Sequence, residues 1–235
     1  MAITPNSVNF SEMQYLHLNP SVDKAVKENR FSSGWDHFTK HGYKESRPGS
    51  PVLSDKQFDS FEKENIQRYW DERRNSTYIQ HVFAISSFIG RNANSILDVG
   101  SNGCPYLSWF PWIKHKVSID IERPYVAKDI ISIKQDFLHY KPTVKFDVCL
   151  CLQVLEHIPD VVNFSRHLTN VSRHLIISVP YKWPIGTMTK SMGHIHDPVD
   201  EIKIKTWFGR SPDFQMISTE SHNKNVQRLV CYFEV

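Results

Sequence analysis

The segment Ser95-Ile-Leu-Asp-Val-Gly-Ser-Asn-Gly-Cys-Pro-Tyr106 constrains this chain more than any other stretch. A β-branched and leucine run ends in an acid, Asp98, and breaks at once into a loop with glycines at 100 and 103. A buried parallel strand has this pattern when it delivers backbone N–H groups to a ligand at its carboxyl end. Gly100 can take backbone angles closed to residues with a Cβ, and Asn102 is the next best residue type for a left-handed position. The G-x-G-x-x-G spacing of a nicotinamide-binding turn is absent, which argues against a dehydrogenase.

Further pieces follow in a fixed order. Lys116-Val-Ser-Ile-Asp-Ile-Glu122 reads as a second strand ending at Asp120, and Ile133-Lys-Gln-Asp-Phe137 as a third strand tip. Lys145 to Asp160 reads as a fourth strand, a loop, and a helix start marked by Pro159 and Asp160. Helices are expected over 57–73 and 76–89, ahead of the first strand at 95–99. After the fourth strand come a helix over 160–171, a strand over 174–179, a short helix over 200–208, and strands over 214–219 and 228–234. Such alternation implies a parallel sheet with right-handed crossovers. The stretch between Asp136 and Phe146 is too short for a full helical crossover. The expected fold is α/β and Rossmann-like, with a mostly parallel seven-stranded sheet flanked by helices and an antiparallel C-terminal strand pair. Residues 1–56 form an N-terminal helical extension and 57–235 the α/β domain. The extension is polar but carries Phe10, Tyr15, Phe31, Trp35, Phe38 and Tyr43, more aromatics than a disordered tail. It is expected to pack as a lid, a cap or the arm of a homodimer, with a linker near 46–54.

The ordered set, with Leu155-Glu-His-Ile158 after the fourth strand, resembles the class I S-adenosylmethionine-dependent methyltransferases. The resemblance covers residues 90–182 well and the rest loosely. It implies S-adenosylmethionine as cofactor. The turn bearing Asp98, Gly100, Ser101 and Asn102 would lie under its methionine part. Asp120 would accept from the ribose hydroxyls. Asp136, with the backbone or apolar face of Phe137, would meet adenine, and Gln153 and its neighbours would line cofactor and substrate. The family turn usually has glycines where this chain has Asn102 and Cys104.

Methyl transfer from a sulfonium asks mainly for alignment, and a hydroxyl acceptor must also lose its proton. A histidine titrating near neutrality suits that task. The candidates are His157, after the fourth strand, and His194 and His196, in Gly193-His-Ile-His-Asp-Pro198. Tyr181 and Trp183 follow the fifth strand and could wall an acceptor pocket. The main reading needs no resident metal. An alternative places a divalent ion on Glu156, His157 and His196. That arrangement is similar to small-RNA 3′-end 2′-O-methyltransferases, although Gln153 stands where their first carboxylate would be.

Composition narrows the partners. A net charge of +3 is too small for a dedicated nucleic-acid surface. No apolar run approaches the ~20 residues of a membrane helix. Cysteines 104, 149, 151 and 231 lack zinc or disulfide spacing, and no signal peptide opens the chain, so a cytoplasmic setting is expected. The leading expectation is O-methylation of a small-molecule hydroxyl, such as a sugar or secondary metabolite. RNA-end methylation and a non-catalytic cofactor-binding partner protein are the alternatives.

Overall fold

A computed structural model describes residues 10–45, 47–51, 53, 55–186, 189–190, 192–221 and 223–235. Its contacts divide the chain into two compact units, Met1–Asp71 and Glu72–Val235.

In the first unit the aromatic-bearing extension is helical, as expected from its sequence. Helices α1 (Glu12–Leu18), α2 (Pro20–Lys27) and α3 (Gly34–His37) lead through a π turn at Phe38–Gly42. Helices this short are marginal alone, so packing must hold them. Phe10, Tyr15, Val22, Phe38 and Tyr43 form a small core, and Trp35 and Phe61 pack against it. The Glu12 carboxylate accepts from the Gly34 and Trp35 amides at 2.5 and 2.9 Å, tying α1 to the start of α3. Phe61 belongs to α4 (Asp55–Arg73), so most of α4 joins this unit and the boundary lies beyond the residue 56/57 division expected from sequence. The expected linker lies partly outside the described residues.

The second unit is built on a seven-stranded sheet in the order β3-β2-β1-β4-β5-β7-β6. Its strands are β1 Ser95–Val99, β2 His115–Asp120, β3 Ile131–Lys134, β4 Phe146–Leu152, β5 Ser172–Pro180, β6 Phe214–Glu220 and β7 Asn223–Glu234. β1 to β5 are parallel, and β7 runs antiparallel to both β5 and β6. β1 and β4 are buried nearly end to end, as parallel strands covered on both faces must be. Cys149 and Cys151 fill that core as small apolar residues, and all four cysteines are buried and unpaired.

Helices α5 (Thr77–Ile89), α6 (Val161–Val171) and α7 (Glu201–Phe208) flank the sheet. Phe164 and Leu168 of α6 and Ile204 and Trp207 of α7 share one core with Leu97, Ile119, Leu175 and Leu229. Asp160 and Asp200 cap α6 and α7 by accepting from the Asn163 and Lys203 amides. Between β3 and β4 a 3₁₀ turn at Phe137–His139 replaces the missing crossover helix. β7 begins five residues before its expected start at 228, so the hairpin is tighter than anticipated, and His222 in its turn lies outside the described residues. Among the described residues no helix is long and apolar enough to cross a membrane.

The strand order reverses between β1 and β4. In open α/β sheets the crevice at the carboxyl ends of such a pair is where ligands bind.

Candidate active site

The loop leaving β1 is shaped by backbone demands. Gly100 has φ +77°, and a Cβ there would stand 2.5 Å from Val154 Cγ2, just beyond β4. Only glycine lets the two strand tips approach so closely. Its N–H donates to the Ile119 carbonyl at 2.8 Å. Asn102 takes the left-handed conformation, with φ 48°, and its N–H donates to Asp120 Oδ2 at 2.9 Å. The Ser101 hydroxyl gathers the next layer. It donates to the Arg123 carbonyl at 3.1 Å and accepts from the Tyr125 amide at 2.9 Å and the Ser118 hydroxyl at 3.1 Å. Ser101 is therefore a buried brace of the loop.

Asp120 serves as the keystone. Besides Asn102, its Oδ1 accepts from the Glu122 and Arg123 amides at 2.8 and 2.9 Å. A carboxylate offers about four lone-pair sites, so about one remains for a ribose hydroxyl rather than the pair expected from sequence. Asp98 is the reverse case. It is 1% exposed, and neither carboxylate oxygen has a hydrogen-bond partner among the described residues. Burial, aided by the Asp120 charge, holds its pKa well above the usual carboxylate range. A buried acid this isolated is stabilised by a cationic ligand group. The α-ammonium of S-adenosylmethionine would supply that charge, and the glycine cradle would admit its methionine backbone. Asp98, Gly100, Asn102 and Asp120 thus fit the cofactor. Asp136 caps the 3₁₀ turn by accepting from the Leu138 amide at 2.9 Å. The Phe137 ring is buried against Phe164 and His167, so only its main chain remains for a ligand.

Beyond β4 the site is made of side chains. Gln153 is held at φ 57°; its amide donates to the Ser178 carbonyl at 2.8 Å and its Nε2 to the Ser178 hydroxyl at 3.1 Å. Its Oε1 accepts from Arg228 Nε at 2.8 Å. Glu156 is 1% exposed, and burial pushes its carboxyl up to about 8 despite the nearby Arg228 charge. His157 Nδ1 lies 3.2 Å from the Gly193 carbonyl, and burial lowers its pKa. His194 Nδ1 is 2.7 Å from Asp197 Oδ2, with both side chains nearly inaccessible. The two histidine rings meet edge to face at 4.9 Å, and Trp183 stacks on His194 at 6.0 Å. A cleft of about 540 Å³ opens here, lined by Ile185, Thr189, Lys190, Gly193, His194, Ile195 and Asp197.

The structure separates residues that sequence had grouped. Glu156, His157 and His194 offer ligand atoms within 4.8 Å of one another. His196 is elsewhere: its Nε2 lies 2.7 Å from the Ile158 carbonyl and its ring packs on Trp207. In the expected metal set, His194 therefore takes the place assigned to His196. In a regular extended segment residues two apart would share a face, but here the chain turns at residues 192–193 and bends at His196, so the two histidines part, and sequence alone did not say which one faced inward. Trp183 borders the cleft through His194, whereas Tyr181 is 9% exposed and donates to Glu201 Oε1 at 2.9 Å, holding the start of α7. Sequence reasoning missed Arg228 and gave Asp197 no role. The only sequence signal for Arg228 is a cation opening the apolar run Leu-Val-Cys-Tyr-Phe233.

No protein-family model matches the chain, and no curated protein matches it in sequence. Solved structures do. The 1,6-didemethyltoxoflavin-N1-methyltransferase of Burkholderia thailandensis, solved with 1,6-didemethyltoxoflavin and S-adenosylhomocysteine, superposes with a TM-score of 0.56 at 14% identity, over 77% of this chain and 90% of that one. The N-methyltransferase NodS of Bradyrhizobium japonicum, in complex with S-adenosylhomocysteine, gives 0.52 at 13% identity, over 70% and 90%. An S-adenosylmethionine-dependent methyltransferase from Clostridium acetobutylicum gives 0.50 at 12% identity, over 76% and 98%. At these identities the likeness establishes the fold, which is that of class I S-adenosylmethionine-dependent methyltransferases.

Proposed function

We propose that the chain is an S-adenosylmethionine-dependent methyltransferase that acts on a hydroxyl of a small molecule, with His194 as general base. The cofactor supplies a methyl group already activated by positive sulfur. Asp98, Asp120 and the Gly100–Asn102 turn would hold it at the β1 and β2 tips.

The observation that carries the choice of oxygen is the His194–Asp197 pair. Asp197 fixes the tautomer with a proton on Nδ1, which leaves the Nε2 lone pair to accept one. A neutral amine can attack unaided, whereas a hydroxyl must give up its proton as it attacks. His157, kept neutral by burial, packs edge-on to hold the His194 ring in place.

Two measurements test the reading. Calorimetry should detect S-adenosylhomocysteine binding. Transfer of labelled methyl to a panel of hydroxylated metabolites should fall by about 10²–10⁴-fold in His194→Ala, the usual worth of a positioned base, with cofactor affinity unchanged. Full transfer by that variant would remove His194 from the chemistry.

One observation favours a second reading, RNA 3′-end 2′-O-methylation with a divalent ion: the convergence of Glu156, His157 and His194. Against it, Gln153 stands where a further carboxylate would help and is already engaged by Arg228 and Ser178. Transfer that survives exhaustive chelation would leave the metal-free reading standing; transfer abolished by chelator and restored by added magnesium, on RNA ends, would replace it.

A further inference from the structure

Arg228 is a buried cation with no ion-pair partner among the described residues. It lies opposite Pro180 on β5 and Ser218 on β6. Though only 7% exposed, it has no carboxylate within ion-pair distance among the described residues. Its Nε is spent on a neutral partner, Gln153 Oε1, and Nη1 reaches the Gln227 carbonyl only at 3.5 Å. The guanidinium lies 4.4 Å from the Trp183 ring centre and 5.1 Å from that of Tyr78. These aromatic contacts suit a cation but do not cancel its charge.

The nearest acids are otherwise engaged. Glu220 accepts from the Thr77 amide at 2.8 Å and the Tyr78 amide at 3.5 Å, capping α5. Burial weighs most against the Arg228 cation and the Arg73 charge adds to it, while Tyr78, Glu220 and Glu156 favour it without an ion pair among the described residues. Removing a guanidinium from water without a counter-ion costs several kcal/mol, so a fold that retains one there invites an anion from outside. Gln153 sharpens the point. Locked to Ser178 by two hydrogen bonds and held left-handed, it fixes the guanidinium plane through Nε and leaves Nη2 without a protein partner among the described residues. A planar fork held this way matches carboxylate and phosphate oxygens.

We propose that Arg228 is a specificity-determining residue of the acceptor pocket, binding a carboxylate or phosphate carried by the methyl-accepting molecule. This rests on the methyltransferase reading above. Trp183 relates the two ends of that molecule, since the same indole contacts both Arg228 and His194. The acceptor then has its hydroxyl at His194 and its anionic group at Arg228, as a hydroxy acid or a sugar phosphate would. The cofactor's own carboxylate is the other source of such chemistry, and the test separates the two.

Full-length protein saturated with S-adenosylhomocysteine is titrated with benzoate, phenyl phosphate and benzyl alcohol while the Arg228 side-chain ¹⁵Nε resonance is followed, assigned through Arg228→Lys. An anionic probe should shift it saturably and the alcohol should not. Arg228→Gln should weaken anion binding by about tenfold or more while leaving cofactor affinity within about twofold. If Arg228→Gln fails to fold, the wild-type titration still decides. No shift by either anion overturns the proposal. A shift seen only without S-adenosylhomocysteine, with cofactor affinity lost in Arg228→Gln, assigns Arg228 to the cofactor and overturns it too. Failure of S-adenosylhomocysteine to bind overturns the methyltransferase reading itself, and with it the existence of a methyl acceptor; that readout is separate from the arginine shift.

Discussion

The β1–β2 end of the crevice and the β4–β5–β7 end are built by opposite means. At the first, main-chain groups do most of the work: one carboxylate, Asp120, gathers three amides, and the close approach depends on a missing Cβ at Gly100. At the second, long side chains do it: Glu156, His157, His194, Asp197, Gln153 and Arg228 converge from separate elements, and two buried oxygens, Glu156 Oε2 and Asp197 Oδ1, lack partners among the described residues. The first end is a rigid seat of the kind a constant ligand needs. The first has a single carboxyl in costly surroundings, Asp98; the second gathers several titratable groups there, the condition under which pKa values become adjustable and chemistry becomes specific.

The largest effect should come from breaking the rigid seat. Gly100→Val would push side-chain atoms into Val154 and force a β-branched residue to φ +77°. S-adenosylhomocysteine affinity, read by calorimetry, should fall at least 100-fold, or the protein should lose its cooperative melt. Retained tight binding would mean that the loop is pliable and that the contrast between the two ends is overstated.

Asp120→Ala should follow, by about 2–4 kcal/mol of combined stability and cofactor affinity, because it strands three amides as well as a ribose contact. Asp120→Asn separates those roles. It keeps one acceptor oxygen but replaces the other with a donor facing a backbone N–H. Melting that drops in parallel with affinity would mark Asp120 as chiefly the keystone of the loop.

The histidines sharpen the other end. His194→Ala should cost rate, whereas His196→Ala should lower the melting temperature by a few degrees and leave the rate per folded molecule intact, since its ring packs on Trp207 and bonds the Ile158 carbonyl. Equal loss of rate in both would mean that the segment acts as one piece and that the inward-facing histidine is not special.

Legibility in the sequence followed the same contrast. The buried parallel strands and the Gly100 turn announce themselves locally, because β-branched runs, a terminal acid and a required glycine leave marks on adjacent residues. The succession of β1 to β5 along the chain, and the want of room for a crossover helix between Asp136 and Phe146, could be read for that reason. The side-chain end could not, since it is assembled by register. Arg228 reaches Gln153 only because β7 pairs with β5 so that Arg228 faces Pro180. Whether His194 or His196 turns inward depends on how the segment after β5 folds back, with Ile195 N–H donating to the Glu156 carbonyl at 3.0 Å. The helical character of the extension was legible, but the packing of its short helices was not, because a shared aromatic core rather than local propensity holds them.

The smallest effect tests the cost of the side-chain end directly. In the unfolded chain Glu156 titrates near its ordinary value of 4.5, and in the fold burial raises it to about 8. Between those values the folded state binds more protons than the unfolded one, so stability must fall as pH rises through that window and level off above it. Glu156→Gln cannot ionise and fills nearly the same space. Chemical denaturation across pH 5–9 should therefore show a wild-type slope that is shallower in the variant, which keeps the part due to the buried Asp98, and the variant should be the more stable of the two at the alkaline end by about 1–3 kcal/mol. The sign is the informative part. A variant less stable than wild type at alkaline pH would mean that Glu156 is ionised and paired in solution, with Arg228 as the partner. The buried guanidinium would then have its counter-ion within the protein, and the division between a settled seat and an unsettled chemical end would disappear.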